Sequence, residues 1–276
     1  CAPTGEGFAL DVPKHVEAQV QSIAHTQGVP AARVAFVLDD ADALGSGYAM
    51  THLPGETNPL RVLADAALRA RLAVHAGEVL AAIHRIPIAT LPALPSASPA
   101  LQLRALRDAY DGFDAPSAVF EVAFARLART TPPERAQTLV HGDFRTGNLL
   151  VDADGIRAVL DWELCHLGSP TEDLGWCCVN AWRFGRIHDR VGGFGSVATL
   201  REAYVAAGGT DFTDEELDYW EIYGTLRWGV ICLYQVFAHL RGAIRSIERA
   251  AIGRRVSEVE LDLLRLLDGG SAHAAR

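Results

Sequence analysis

The sequence predicts an α+β chain, with a short strand-bearing stretch ahead of a mainly helical body that holds one central β-hairpin. Three observations predict it. Strand-like runs fall at about 33–53 and 138–160, and apolar residues recur at helical spacing through most of the remainder. With 276 residues, 49% of them hydrophobic, the chain can bury the core of one large domain or two modest lobes.

Pro13 opens the first helix, which runs to about Gln27 and stops at Gly28, with Val16, Val20, Ile23 and Ala24 on one face. Segments 33–38 and 47–53 are strands separated by a polar turn. Pro54-Gly55-Glu56 follows as a connector, so the chain divides into segments 1–53 and 54–276. Across 60–85, Leu63, Ala67, Leu72, Val79, Leu80 and Ile83 keep helical spacing and predict one long buried helix. Segment 87–99 has four prolines and predicts an irregular loop; helices follow at about 101–113 and 116–129. Ser169-Pro170-Thr171-Glu172 and Thr213-Asp214-Glu215-Glu216 have the form of capping boxes. Segment 217–247 predicts a long helix with an aromatic face, and 256–267 an amphipathic one. Arg241, Arg245 and Arg249 recur every fourth residue, either as a basic stripe for an anionic tail or as a solvated helix end.

A net charge of −9 and a pI near 5.5 argue against nonspecific binding to nucleic acid or anionic membranes. No apolar run reaches the roughly 18 residues of a spanning helix, and no leader is read at the start. Cys1, Cys165, Cys177, Cys178 and Cys232 form no CxxC pair and are odd in number, which fits a reducing, cytoplasmic setting. Thr4-Gly5-Glu6-Gly7-Phe8 reads as turn chemistry rather than a phosphate-cradling loop, because no strand precedes it. Lys14 is the sole lysine among 25 basic residues.

The chemistry centres on His141-Gly142-Asp143-Phe144-Arg145-Thr146-Gly147-Asn148. Thr138-Leu139-Val140 before it is β-prone; after it, Leu149-Leu150-Val151, an Asp154-Gly155 turn and a second apolar run to Leu160 form a hairpin. That hairpin brings Asn148 and Asp161 side by side, with Asp143 a short loop away. Two carboxylates and an amide oxygen then converge, a donor set suited to Mg²⁺. An Asp followed five positions later by an Asn is the spacing of a phosphoryl-transfer loop, where the Asp accepts the hydroxyl proton and the Asn holds metal. Asp143 and Asn148 fit it, Asp161 is the second metal ligand, Glu163 a further candidate, and Arg145 can neutralise charge on the transferring group. The alternative for Asp143 and Asn148 is a turn in which both bond their own backbone.

HGDFRTGN, followed by VLDWE and SPTEDLGW, resembles the aminoglycoside phosphotransferase and choline kinase family, most closely a subgroup related to the phosphotransferase domains of certain acyl-CoA dehydrogenases. The resemblance runs from about Val16 onward. It implies a protein-kinase-like two-lobed fold, with 1–53 a partial N-terminal lobe, 54–276 a C-terminal lobe and ATP between them, Asp143 as base, Asn148 and Asp161 as Mg²⁺ ligands, Asp173 as a buried carboxylate bracing the loop, and His141 as a loop-shaping residue. It puts the adenine edge on the backbone of Met50, Thr51, His52 and Leu53, and makes Glu17 the partner of the phosphate-holding cation; the bland reading of Glu17 is a solvated helix charge. Lys14 shares the Glu17 helix and is no substitute for that cation, so the glycine loop and the cation-bearing strand are expected ahead of Cys1.

The expected activity is ATP- and Mg²⁺-dependent phosphate transfer to a hydroxyl of a small molecule. A basic loop at 182–190 and the Arg241–Arg249 spacing tilt the acceptor towards a neutral or anionic compound, with hydroxyacyl compounds suggested by the subgroup. Two other classes compete: a noncatalytic nucleotide- or metabolite-binding relic of the fold, and a metal-dependent phosphoester hydrolase, which would need a denser His and Asp cluster.

Overall fold

The computed structural model describes residues 11–39, 41 and 43–269; Cys1 and the Thr4–Phe8 turn lie outside them. Ten helices and six short strands are seen among these residues, and the strands form three antiparallel pairs. Helix α1 (Lys14–Thr26) packs on the pair β1 (Val34–Val37) and β2 (Tyr48–Met50). The predicted strands at 33–38 and 47–53 are thus present but shorter.

The single helix predicted over 60–85 is two. Helix α2 (Pro59–Val62) ends at Leu63, and Asp65 caps α3 (Ala66–His84) by accepting the amides of Ala67 and Leu68. A capping carboxylate satisfies amides that a continuous helix would have bonded itself, so the chain restarts there. Helix α3 is the spine of the larger core, and at Gly77 the backbone of Leu200 and Tyr204 approaches so closely that a Cβ would overlap it. Helices α4 (Pro99–Asp111) and α5 (Ala118–Thr130) belong to a second core with α8 (Asp214–Leu240) and α10 (Val256–Leu267).

Strand β3 (Thr138–Val140) pairs with β6 (His166–Gly168), and β4 (Leu149–Asp152) with β5 (Gly155–Val159). The Asp154-Gly155 hairpin therefore forms as its turn chemistry dictates, with Gly155 at φ +127°. Helix α6 (Pro170–Cys178) follows β6, and α7 (Val197–Ala206) packs along α3.

Two further expectations differ. Ser169 makes no side-chain cap on α6, because Glu172 turns inward to Gln102 and His166; the Thr213/Glu216 box on α8 is complete. Helix α8 stops at Leu240, Gly242 takes φ +78°, and a separate α9 (Ile247–Gly253) begins, so Arg241, Arg245 and Arg249 do not share one helix and form no stripe. Cys165, Cys177, Cys178 and Cys232 are free and buried.

Candidate active site

The segment between β3 and β4 folds back tightly enough to need a glycine. Gly142 sits at φ +81°, where a Cβ would run into the Leu164 carbonyl. Two successive amides, those of His141 (2.7 Å) and Gly142 (2.9 Å), donate to the carboxylate of Asp173 in the first turn of α6. Asp173 is fully buried and also faces His84 Nε2 at 3.2 Å; His84 in turn meets the Tyr204 hydroxyl at 2.8 Å. Burial alone would raise the Asp173 carboxyl, but the His84 bond, the charges of His84 and His141 and the His141 amide outweigh it and hold it below the ordinary range. His141 is buried against Trp162, and its Nδ1 accepts the Asp143 amide at 3.2 Å; burial keeps its imidazole below its usual value.

Asp143 is held from three sides. Trp176 Nε1 donates to Oδ1 at 2.8 Å, Asn148 Nδ2 to Oδ2 at 2.6 Å, and Arg145 Nε to both oxygens at 3.1 and 3.2 Å. The Arg145 guanidinium stacks 4.9 Å from the Trp182 ring centre. Arg145 is therefore already paired with the carboxylate two residues before it.

Leu160 donates its amide to the Asn148 carbonyl at 2.9 Å, which closes the open end of the hairpin and sets Asp161 beside the loop. Asp161 takes φ +68°, a strained conformation for a non-glycine residue and one common at functional positions. Its carboxyl is raised to about 6 by burial and by the charges of Glu163, Asp143 and Glu17, against the lowering effect of Arg145. This excess of negative charge suits a divalent cation, and with Asn148 Nδ2 committed to Asp143 the amide Oδ1 is left as an acceptor.

Glu17 is not a solvated helix charge. It is 4% exposed and accepts from Lys14 Nζ at 2.7 Å and from the Tyr48 hydroxyl at 2.9 Å. Lys14 also reaches Glu163 at 2.9 Å, so the sole lysine ties α1 to the segment after Asp161. Thr51 gives its amide to the Arg33 carbonyl, while Thr51 and His52 are exposed and Leu53 is half-exposed along the connector.

The arginines of the basic loop at 182–190 are neutralised, two of them by α8 and one by the loop itself. Arg183 pairs with Glu221, Arg190 with Glu221 and Asp218, and Arg186 with Asp189. Sequence reasoning missed Trp176, His84, Tyr204 and Arg227, whose Nη1 bonds the Gly142 carbonyl at 3.2 Å. Only Trp176 carried a signal: it lies three residues after Asp173 on α6, so both face the same loop.

The family model for the phosphotransferase enzyme family matches residues 7–220, most of the chain. The chain belongs to the phosphotransferase enzyme family. Among solved structures, it is similar to a Ralstonia eutropha protein described as an aminoglycoside phosphotransferase (22% identity, TM-score 0.74, covering 94% of this chain and 85% of that one). It is also similar to a choline/ethanolamine kinase family protein from Mesorhizobium loti (19%, TM-score 0.63, covering 91% and 79%). A third likeness is to a spectinomycin phosphotransferase in complex with ADP and spectinomycin (15%, TM-score 0.59, covering 91% and 82%). These likenesses establish the kinase-like α+β fold. Over 50 residues, 17% of this chain, it is 46% identical to acyl-CoA dehydrogenase family member 10 of Mus musculus, but it spans only 5% of that protein's length. Among the described residues, no helix of this family member is long and apolar enough to cross a membrane.

Proposed function

We propose that the protein transfers the γ-phosphate of ATP to a hydroxyl of a small molecule, with Asp143 as the catalytic base. The observation that supports this best is the anchoring of the Asp143 carboxylate by Trp176, Asn148 and Arg145, in a loop pinned to Asp173. An anchored carboxylate can accept a hydroxyl proton while its neighbours fix its orientation. Asn148 Oδ1 and Asp161 would hold Mg²⁺, which when bound would offset charge on the nucleotide phosphates. Arg145 keeps its Nε on Asp143 and turns its remaining donors to the transferring group. His141 and Asp173 shape the loop. Glu163, held by Lys14, positions the segment after Asp161, and Glu17 anchors α1. The exposed connector from Met50 to Leu53 is where the adenine edge would bond. The ADP complex of the spectinomycin phosphotransferase, a structural neighbour, supports an adenine nucleotide as donor.

The acceptor is a small hydroxylated molecule, neutral or anionic, and the four free buried cysteines favour the cytoplasm. One observation favours the second reading, a noncatalytic nucleotide binder: Glu17 is already paired with Lys14 of its own helix. Phosphate transfer from ATP labelled at the γ position to a panel of alcohols separates the two. Transfer that disappears in Asp143→Asn supports the kinase; nucleotide binding with no transfer to any acceptor supports the binder.

A further inference from the structure

Between α4 and α8 lies a cavity of about 320 Å³, lined by Leu101, Ala105 and Tyr223 with Arg104, Glu172 and Arg227. That volume is in the range of small-ligand sites. Arg227 is 8% exposed, yet among the described residues it makes one hydrogen bond, to the Gly142 carbonyl, and stacks 4.8 Å from the Trp176 ring centre. Among the described residues no carboxylate pairs with it; Asp11 feels its charge without forming an ion pair. The half-buried Arg183 and Arg190, by contrast, are matched by Glu221. A buried cation without a counter-ion is costly unless something else supplies the charge.

Glu172 does not supply it. Its Oε2 takes Gln102 Nε2 at 2.6 Å and faces His166 Nε2 at 3.2 Å. Burial pulls His166 down, but the charge and hydrogen bond of Glu172 prevail, so its imidazole sits above its usual value. Glu172 Oε1 is buried without a partner and can accept one more hydrogen bond.

We infer that this cavity binds a hydroxylated organic anion: its carboxylate or phosphate pairs with Arg227, a hydroxyl donates to Glu172 Oε1, and its apolar body lies on Leu101 and Ala105. Arg104 and Asp108, four residues apart on α4, both lie at the exposed rim and offset one another, so the selection for an anion falls to the buried Arg227. Because Arg227 bonds the carbonyl next to Asp143, the anionic end lies beside the candidate base. That the occupant is the phosphate acceptor rests on the function proposed above; that the cavity takes an organic anion does not.

The test is calorimetry without nucleotide, using short-chain hydroxycarboxylates, their neutral amides, choline and inorganic phosphate. The wild-type protein should bind the hydroxycarboxylates in preference to the amides and choline. Arg227→Met should weaken this by about 10- to 100-fold, as loss of a charge-assisted pair does. Ala105→Trp, placed at the exposed mouth, should block binding while leaving Arg227 and its loop contact intact, which separates lost recognition from a misfolded variant. Equal binding of amides and carboxylates, unchanged affinity in either variant, or binding of inorganic phosphate alone overturns the inference. Organic-anion binding by a wild-type protein that fails to bind ADP–Mg²⁺ would refute the kinase reading and leave this one standing.

Discussion

Asn148 gives its side-chain amide to Asp143 Oδ2 at 2.6 Å and to the Asp143 carbonyl at 3.0 Å, joining the two ends of the 143–148 loop through one group. The nitrogen thereby holds the candidate base and the oxygen is left for a cation, so base and metal ligand are separable in experiment. Asp161→Ala should abolish Mg²⁺-dependent nucleotide binding, because it removes the proposed carboxylate ligand. Asp143→Asn should leave that binding within a few-fold and eliminate turnover. Titration calorimetry on both variants decides it: equal loss of binding would show that the two carboxylates share one role.

The raised carboxyl of Asp161 has a stability consequence. An acid lifted from 3.8 to about 6 in the folded state binds more protons there than when unfolded, so it destabilises the fold increasingly as pH rises from about 4 to about 6. Asp161→Asn should therefore stabilise the metal-free protein at neutral pH, by no more than about 1 kcal/mol, because the residue as a whole is exposed and water screens much of the effect on its partly desolvated carboxyl. That corresponds to roughly 2–4 °C in melting temperature. ATP–Mg²⁺ should stabilise the wild-type protein and not the variant, reversing the order. Melting curves with and without ATP–Mg²⁺ test both halves, and a variant that is less stable when metal-free would remove the case for a crowded anionic site.

How much of this was legible in the sequence follows the range of each interaction. The loop, the Asp154-Gly155 hairpin and the Thr213 box are local patterns, and all three are present. The breaks at Asp65 and Gly242 were hidden because helical apolar spacing continues across both while a cap or a left-handed residue restarts the chain. Glu172 shows the opposite failure: its spacing from Ser169 spells a cap, but burial against His166 and Gln102 wins. Arg227 reaches the loop from 85 residues away, His84 reaches Asp173 from 89, and Tyr204 reaches His84 from 120, distances at which no periodicity points. The arginines of 182–190 look free in sequence because Glu221 and Asp218, which neutralise them, lie on α8.

Asp173 makes the clearest structural prediction. Asn at this position keeps the shape but offers one acceptor where two backbone amides now bond, leaving a buried donor unpaired at about 1–3 kcal/mol. A fall of about 3–10 °C in melting temperature is expected, with loss of turnover as the loop relaxes. The wild-type carboxyl is held below its unfolded value, so its contribution is present above about pH 4 and is lost as pH falls further. The gap in stability between wild type and Asp173→Asn should accordingly narrow in acid. A gap that is constant from pH 7 to pH 3 would mean that the charge on Asp173 contributes nothing.

Arg145 distinguishes two roles that share one geometry. Its Nε lies on Asp143 and its face on Trp182, so it shapes the loop; in the proposed reaction its other donors would meet charge that develops on the transferring phosphoryl group. Arg145→Met keeps much of the stem packing while removing the cation and its rigid fork. The Arg145–Asp143 pair is partly exposed, at 27% and 12% of the side chains, so its loss should cost no more than about 1 kcal/mol of stability. Loss of a preorganised donor to developing charge typically lowers turnover by about 10²–10³. The expected result is a kcat reduced by that factor, an ATP–Mg²⁺ dissociation constant changed only a few-fold, and a melting temperature within a few degrees of wild type. All three are to be measured on one preparation. A fall in stability that matches the loss of turnover would reduce Arg145 to a brace for Asp143, and unchanged turnover would remove it from the reaction altogether.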